Sequence, residues 1–322
     1  MSNVTSQMED VFSEEAQAHS PNVVGDELAR LVAAHPEVVV LSADMGAALG
    51  KVREVAPERY FDLGIAETNT MSVAAGLAAS GFVPYVVSMA PFGMLKCAEQ
   101  IRTDLASTKM PVRIVARLSG LAMGFFGASH HAIEDLAIAR TITNLTVCAP
   151  SDSASTIALL RSTYDVDGPV LIRTSEGIAR QVYDAVPTIP RGCFVEVRPG
   201  DDAAVIATGV GVSIALEAAE VLAGEGVQVR VLDAAYLKPL DERAVVAAAG
   251  TGRILTVEEH HVMGGLGTMV AEVLGRHGLG ARLEVHALPD EDLEVGVPAA
   301  LLERYGLTPA GVTAQLRHLL AG

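Results

Sequence analysis

GIAETNTM, residues Gly64 to Met71, sets a single carboxylate, Glu67, among uncharged neighbours. The preceding FDLGI, 61–65, reads as a short buried strand, and the following AETNTMSVAAGLAASG, 66–81, as a helix of small residues. Glu67 therefore falls at a strand-to-helix junction. Loops at the carboxyl ends of strands are where α/β proteins carry their sites, although an acid in the first turn of a helix is also favoured by the dipole alone. If Gly64 to Glu67 is extended, the two-residue period puts Ile65 and Glu67 on the same side.

Downstream of Glu67 the chain runs from Thr68 to Leu95, 28 residues, without a charge. That is longer than a bilayer span requires. Gly81, Pro84, Ser88 and Pro91 interrupt it, and the β-rich FVPYVV breaks the helical reading, so the run is expected to be a buried helix, a strand, and a loop carrying Phe92. Strand and helix alternate around it: helix at 26–35, strand at 37–43, an amphipathic helix at 92–106, strand at 111–118, helix at 134–142, strand at 145–150, helix at 153–164, strand at 168–174. This pattern predicts a parallel α/β domain. A stretch from Val186, with three prolines and two glycines, reads as a linker, after which strands at 203–209, 227–233, 253–259 and 282–288 alternate with helices in a smaller domain.

A formal charge of −16 and a pI near 4.9 argue against nucleic acid or an anionic membrane as partner, since both need a basic face. Half of the residues are hydrophobic, more than a solvated monomer usually carries, which points to an apolar interface. Cys97, Cys148 and Cys193 form no CxxC and leave one thiol over in any pairing, so a reducing, cytoplasmic setting is expected and no zinc site. The first 20 residues have neither a basic start nor an apolar run, which leaves no visible secretory signal.

Several motifs together resemble one family. GIAETNTM followed by AAGLAASGFVPYV is similar to the glutamate motif of the pyrimidine-binding domain in transketolases and their thiamine diphosphate-dependent relatives. SHHAIEDLAIARTITNLTVCAPSD, 129–152, resembles the family's Thr-His segment, and LKPLD, 237–241, with VEEHHVMGGLG, 257–267, resembles its C-terminal domain. The resemblance runs in the family's order over roughly residues 22 to 320. It implies an α/β fold of two parallel-sheet, three-layer domains: a polar tail at 1–21, a pyrimidine-binding domain at 22–185, a linker at 186–201 and a transketolase C-terminal domain at 202–322.

The family's cofactor reacts through the C2 carbon of its thiazolium and uses its own aminopyrimidine as base, which a carboxyl group bonded to the pyrimidine N1′ makes possible. The resemblance implies that Glu67 makes this bond, that Ile65 is the apolar wedge under the bent cofactor, that Phe92 stacks on the pyrimidine, and that Asp44 in SADMG lies near the cofactor. A Phe at a strand end is equally a core residue, and an Asp after a strand is equally a cap. His130, with Ser129 in the place of the threonine, resembles the histidine that reaches the cofactor's amino group and the transferred two-carbon unit. His131, His260 and His261 are expected to be structural. The family holds the diphosphate through a Gly-Asp-Gly sequence and a downstream Asn that bind Mg²⁺ or Ca²⁺. No GDG occurs here, and neither GVGVSI around Gly209 nor GGLGTM around Gly265 replaces it. The expectation is a small subunit with no metal ligands of its own, acting in an α2β2 assembly with a GDG-bearing diphosphate-binding subunit.

Departures from the family pattern concern the substrate channel. Leu118, twelve residues before His130, stands where sugar-phosphate transketolases carry a histidine; Phe125 and Phe126 in GFFG replace an acidic pair; Glu176 replaces a phosphate-gripping arginine; Ala47 or Ala48 replaces a serine. Arg173 remains, although a strand-end arginine reads as a surface charge just as readily. Losing cations and a hydroxyl while gaining a carboxylate disfavours a phosphate dianion. The expected activity is transfer of a two-carbon ketol unit from a ketose donor to an unphosphorylated aldehyde acceptor, with the β-subunit of a 2-oxo acid dehydrogenase or a degenerate regulatory subunit as alternatives.

Overall fold

The computed structural model describes residues 22–175, 178 and 180–321. The expected polar tail, 1–21, and Glu176 lie outside the described residues. The first half supplies β1 (Val38–Ser42), β2 (Tyr60–Asp62), β3 (Val83–Met89), β4 (Arg113–Arg117), β5 (Thr146–Cys148) and β6 (Val170–Arg173), and the second half β7 (Val195–Arg198), β8 (Ala203–Ala207), β9 (Val229–Asp233), β10 (Tyr236–Lys238), β11 (Arg253–His261) and β12 (Arg282–Leu288). They form a seven-stranded sheet in the order β10-β5-β6-β4-β3-β1-β2 and a five-stranded sheet in the order β12-β11-β8-β9-β7. Neighbours pair in parallel except at one edge of each sheet, where β10 runs antiparallel to β5 and β7 antiparallel to β9. The α/β fold of two helix-flanked sheets is as expected.

Sheets buried on both faces need strands that are apolar throughout, and β1, VVVLS, is buried at every position. Alternate residues feed different layers. Val39 and Leu41 join the core that also holds Met71, Ala74 and Ala78 of the helix Glu67–Ala79, whereas Val38 and Val40 join the core under the helix Val23–Ala34. The first of these cores continues into the second sheet through Ala204, Ile206, Leu232 and Ile254, so the two sheets share one apolar interior. Side-chain oxygens cap helix starts as the sequence suggests: Asp152 accepts from Ser155 N at 2.8 Å and Asp241 from Ala244 N at 2.9 Å.

Two local expectations are corrected. FDLGI is not a buried strand: β2 ends at Asp62 on the sheet edge, with Phe61 and Asp62 exposed, because no strand among the described residues pairs with its outer side. The helix expected at 92–106 consists largely of π-helical turns, Pro91–Lys96 and Ile101–Ala106, flanking a short α turn at Ala98–Gln100. Such wide turns recur at functional sites. The proline-rich linker stretch contains β7, and β10, from the second half, leaves its own sheet to close the edge of the first. Arg113 on β4 is nearly fully buried and donates to the carbonyls of Thr163, Tyr164, Val166 and Gly168 at 2.6–3.2 Å, fixing the turn before β6.

Candidate functional site

Because β1, β2, β3 and β4 are parallel, the segments after their carboxyl ends converge at one end of the sheet. Asp44 follows β1, Ile65 and Glu67 follow β2, Phe92 follows β3 and Leu118 follows β4. Asp62 staples the first two loops: its Oδ1 accepts from Asp44 N at 3.3 Å and from Gly64 N at 3.0 Å. Asp44 adopts a left-handed backbone, φ 57°, and Gly64 turns the chain at φ 67°.

That turn overrules the extended reading of Gly64 to Glu67. The chain reverses at Gly64 and becomes helical at Glu67, so Ile65 points outward at 76% exposure while Glu67 is buried at 4%. Glu67 opens the helix Glu67–Ala79, where the dipole favours its charge. Its Oε2 accepts from Lys96 Nζ at 2.8 Å, while the Lys96 side chain remains half exposed. Hydrogen bonding to Glu67, and then its charge, raise the Lys96 pKa. Lys96 was not singled out in the sequence, yet a signal for it exists: the 28-residue neutral run is bounded by Glu67 and Lys96, and these two charges pair with each other.

Phe92 sits one helical turn before Lys96. Its ring meets His130 edge-on at 5.2 Å, and Phe126 tilts against the same imidazole at 4.5 Å. Burial lowers the His130 pKa, keeping the ring neutral at physiological pH, and Ser129 Oγ lies 2.9 Å from its Nδ1. The structure thus joins Glu67 with Lys96, and Phe92 with His130 and Phe126. Phe92 and Lys96 also line a recess of about 390 Å³ together with Leu95, Ser129, His131 and Glu134. No contact ties Asp44 or Ile65 directly to this group among the described residues.

The channel residues divide. Leu118 is half-buried with φ 55°, a left-handed conformation uncommon for a branched apolar side chain and characteristic of functional sites. Phe126 is 44% exposed, but Phe125 is buried, the two ring centroids 4.7 Å apart, so one phenylalanine and not two is open to solvent. The reading of Arg173 as a surface charge is wrong: it is 2% exposed, pairs with the fully buried Asp135 at 2.8 Å, and donates to Ala132 O and Glu259 O. Glu259 in turn accepts from Leu121 N at 2.9 Å and Ser175 Oγ at 3.2 Å, and burial pushes its pKa up to about 7.

The EEHH segment has the structural role expected of its histidines. Glu258 accepts from Leu266 N and Gly267 N at the start of the helix Leu266–His277. His260 is fully buried, its Nδ1 donating to His261 O at 2.8 Å and its Nε2 accepting from Ala137 N at 3.3 Å; burial depresses its pKa to about 4, consistent with a neutral ring. His261 Nε2 donates to Asp290 at 3.0 Å. Among the described residues no group of three or more His, Cys, Asp or Glu side chains could hold a metal ion, and no helix is long and apolar enough to cross a membrane.

The transketolase pyrimidine-binding domain family matches residues 17–181, and the transketolase C-terminal domain family residues 192–312. Curated relatives include 1-deoxy-D-xylulose-5-phosphate synthase of Syntrophotalea carbinolica, 35% identical over 92% of this chain and 48% of its own length, and 1-deoxy-D-xylulose-5-phosphate synthase 1 of Geobacter sulfurreducens, 34% identical over 96% of this chain and 49% of its own length. The chain spans about half the length of the curated relatives it matches. Among solved structures, a split-gene transketolase described as an inactive β4 tetramer is 37% identical with a TM-score of 0.86, covering 93% of this chain and 97% of that one. A transketolase from Pichia stipitis, 21% identical, shares the fold with a TM-score of 0.77 over 93% of this chain and 46% of its own. The chain therefore belongs to the thiamine diphosphate-dependent transketolase family and carries that family's pyrimidine-binding and C-terminal domains.

Proposed function

We propose that the chain is the pyrimidine-binding component of a two-component, thiamine diphosphate-dependent enzyme that moves a two-carbon ketol unit to an unphosphorylated aldehyde. The observation that carries this reading is Glu67: a carboxylate 4% exposed, at a helix start beyond the end of a parallel strand, paired with the half-exposed Lys96. Likeness to a split-gene transketolase along nearly the whole length of that chain supports the two-component part.

The residues present suit the cofactor's pyrimidine half. The Glu67 carboxyl would bond the pyrimidine N1′, and Phe92 would face the ring. Ile65, exposed on the turn before Glu67, would wedge the cofactor at the subunit interface, with Asp44 on the neighbouring loop. When bound, thiamine diphosphate supplies the nucleophilic carbon that carries the two-carbon unit. Burial lowers the His130 pKa; in the tautomer in which Nδ1 accepts from Ser129 Oγ, Nε2 carries the proton and would donate to a substrate oxygen. Diphosphate and Mg²⁺ or Ca²⁺ would be held by a GDG-bearing partner, in an α2β2 arrangement.

Leu118 and the exposed Phe126 give the channel mouth an apolar lining, which supports an unphosphorylated acceptor; Glu176 supports it by charge alone. The test is reconstitution with a GDG-bearing subunit and an acceptor panel in which ribose 5-phosphate competes with unphosphorylated aldehydes. Glu67→Gln should lower turnover by on the order of a hundredfold while leaving the circular dichroism of the fold unchanged. Turnover by the isolated chain would overturn the two-component reading, and a preference for the sugar phosphate would overturn the acceptor.

A further inference from the structure

Glu67 and Lys96 are 29 residues apart in sequence and meet at 2.8 Å. Their burial is unequal: 4% exposure for the Glu67 side chain against 50% for that of Lys96. A buried carboxylate is costly without a partner, so the ammonium satisfies Glu67, while the flexible lysine stem lies in a setting it can leave. Lys96 lines the recess together with Ala128, Ser129, His131 and Glu134. Glu134 is an exposed carboxylate with no salt bridge among the described residues, and it precedes the helix Asp135–Thr141. Lys96 thus pairs with one buried carboxylate, Glu67, and shares the lining of the recess with one exposed carboxylate, Glu134.

We propose that Lys96 is a latch on Glu67. In the chain without cofactor the ammonium occupies the Oε2 position that a pyrimidine nitrogen needs, and cofactor binding drives Lys96 across the recess to Glu134. Lys96 is thus a positioning residue that sets cofactor affinity by competing for the acid, and it keeps Glu67 paired in subunits that have not assembled. This rests on the assignment of Glu67 as the pyrimidine acid. Nothing covalent is involved; one charge-assisted hydrogen bond is exchanged for another.

The test uses the complex reconstituted with a GDG-bearing subunit, and reads thiamine diphosphate affinity by calorimetry without substrate. Lys96→Met keeps the stem's length and apolar packing but removes the competing ammonium, so the cofactor should bind about fivefold more tightly, a factor in keeping with the modest strength of a half-exposed ion pair. Glu134→Gln removes the receiving carboxylate and should weaken binding. A Lys96→Met affinity that is unchanged or weaker overturns the latch, and an unchanged affinity in Glu134→Gln overturns the transfer to Glu134. Glu67→Gln separates the two readings: normal turnover in that variant overturns the assignment of Glu67 itself, whereas impaired turnover beside an inert Lys96→Met overturns the latch alone.

Discussion

Arg173→Met should be among the most destabilising substitutions in this chain. The guanidinium is 2% exposed and sits at the end of β6, where it pairs with Asp135 and donates to Ala132 O and Glu259 O at 2.8–3.0 Å. It thereby ties the first sheet to the helix Asp135–Thr141 and to β11 of the second sheet. Methionine fills much of the volume but strands Asp135, which is 0% exposed, takes the guanidinium on Oδ2 and has no hydrogen-bond partner on Oδ1 among the described residues. Breaking a buried pair from one side costs about 3–5 kcal/mol. Two carbonyls that lose a donor add about 1 kcal/mol each. With about 2.1 cal/mol/K of unfolding entropy per residue, 1 kcal/mol shifts the midpoint of a 322-residue chain by about 1.5 °C, so the midpoint should fall by about 7–10 °C. The protein has no tryptophan, so unfolding is best followed by far-ultraviolet circular dichroism in urea and on heating. Adding Asp135→Leu should recover most of the loss, because an apolar pair of similar volume leaves no uncompensated charge. A single Arg173→Met variant within about 1 kcal/mol of the parent would refute the reasoning, since that is the behaviour of a surface charge.

Two further outcomes follow from buried titratable groups. Burial raises Glu259 from 4.5 to about 7. The folded state therefore holds this proton longer than the unfolded state, and the stability contributed by the neutral carboxyl is fully present below pH 4.5 and lost as pH rises to about 7. Glu259→Gln lacks that loss, so its stability relative to the parent should improve by up to about 3 kcal/mol between pH 5 and 7.5 and then level off; a difference independent of pH would overturn this assignment. Burial also pushes the Cys97 thiol up to about 12 and raises that of Cys148, both 0% exposed, whereas Cys193 is partly exposed. Iodoacetamide at neutral pH should modify Cys193 alone in the native chain and all three thiols in denaturant; rapid loss of the Cys97 thiol would contradict the buried placement.

The sequence by itself determined the alternation of strand and helix, the two-sheet architecture and the family, because these rest on local periodicity and on motifs whose spacing is preserved in order. It also placed Glu67 at a strand-to-helix junction, since the neutral run makes that acid conspicuous. Side-chain direction around Glu67 was decided by the structure, because one left-handed residue, Gly64, reverses the alternation that an extended chain would impose and turns Ile65 outward. Pairing across long separations was decided there too: Lys96 with Glu67, Arg173 with Asp135, and Arg113 with four carbonyls all depend on where strands place side chains that are 29 to 55 residues apart. An arginine at a strand end carries the same local signal whether solvent or a buried aspartate awaits it. The departure of β10 from its own half to pair with β5 has a like cause, because an edge strand is completed by whichever chain segment the tertiary fold brings alongside its open hydrogen bonds.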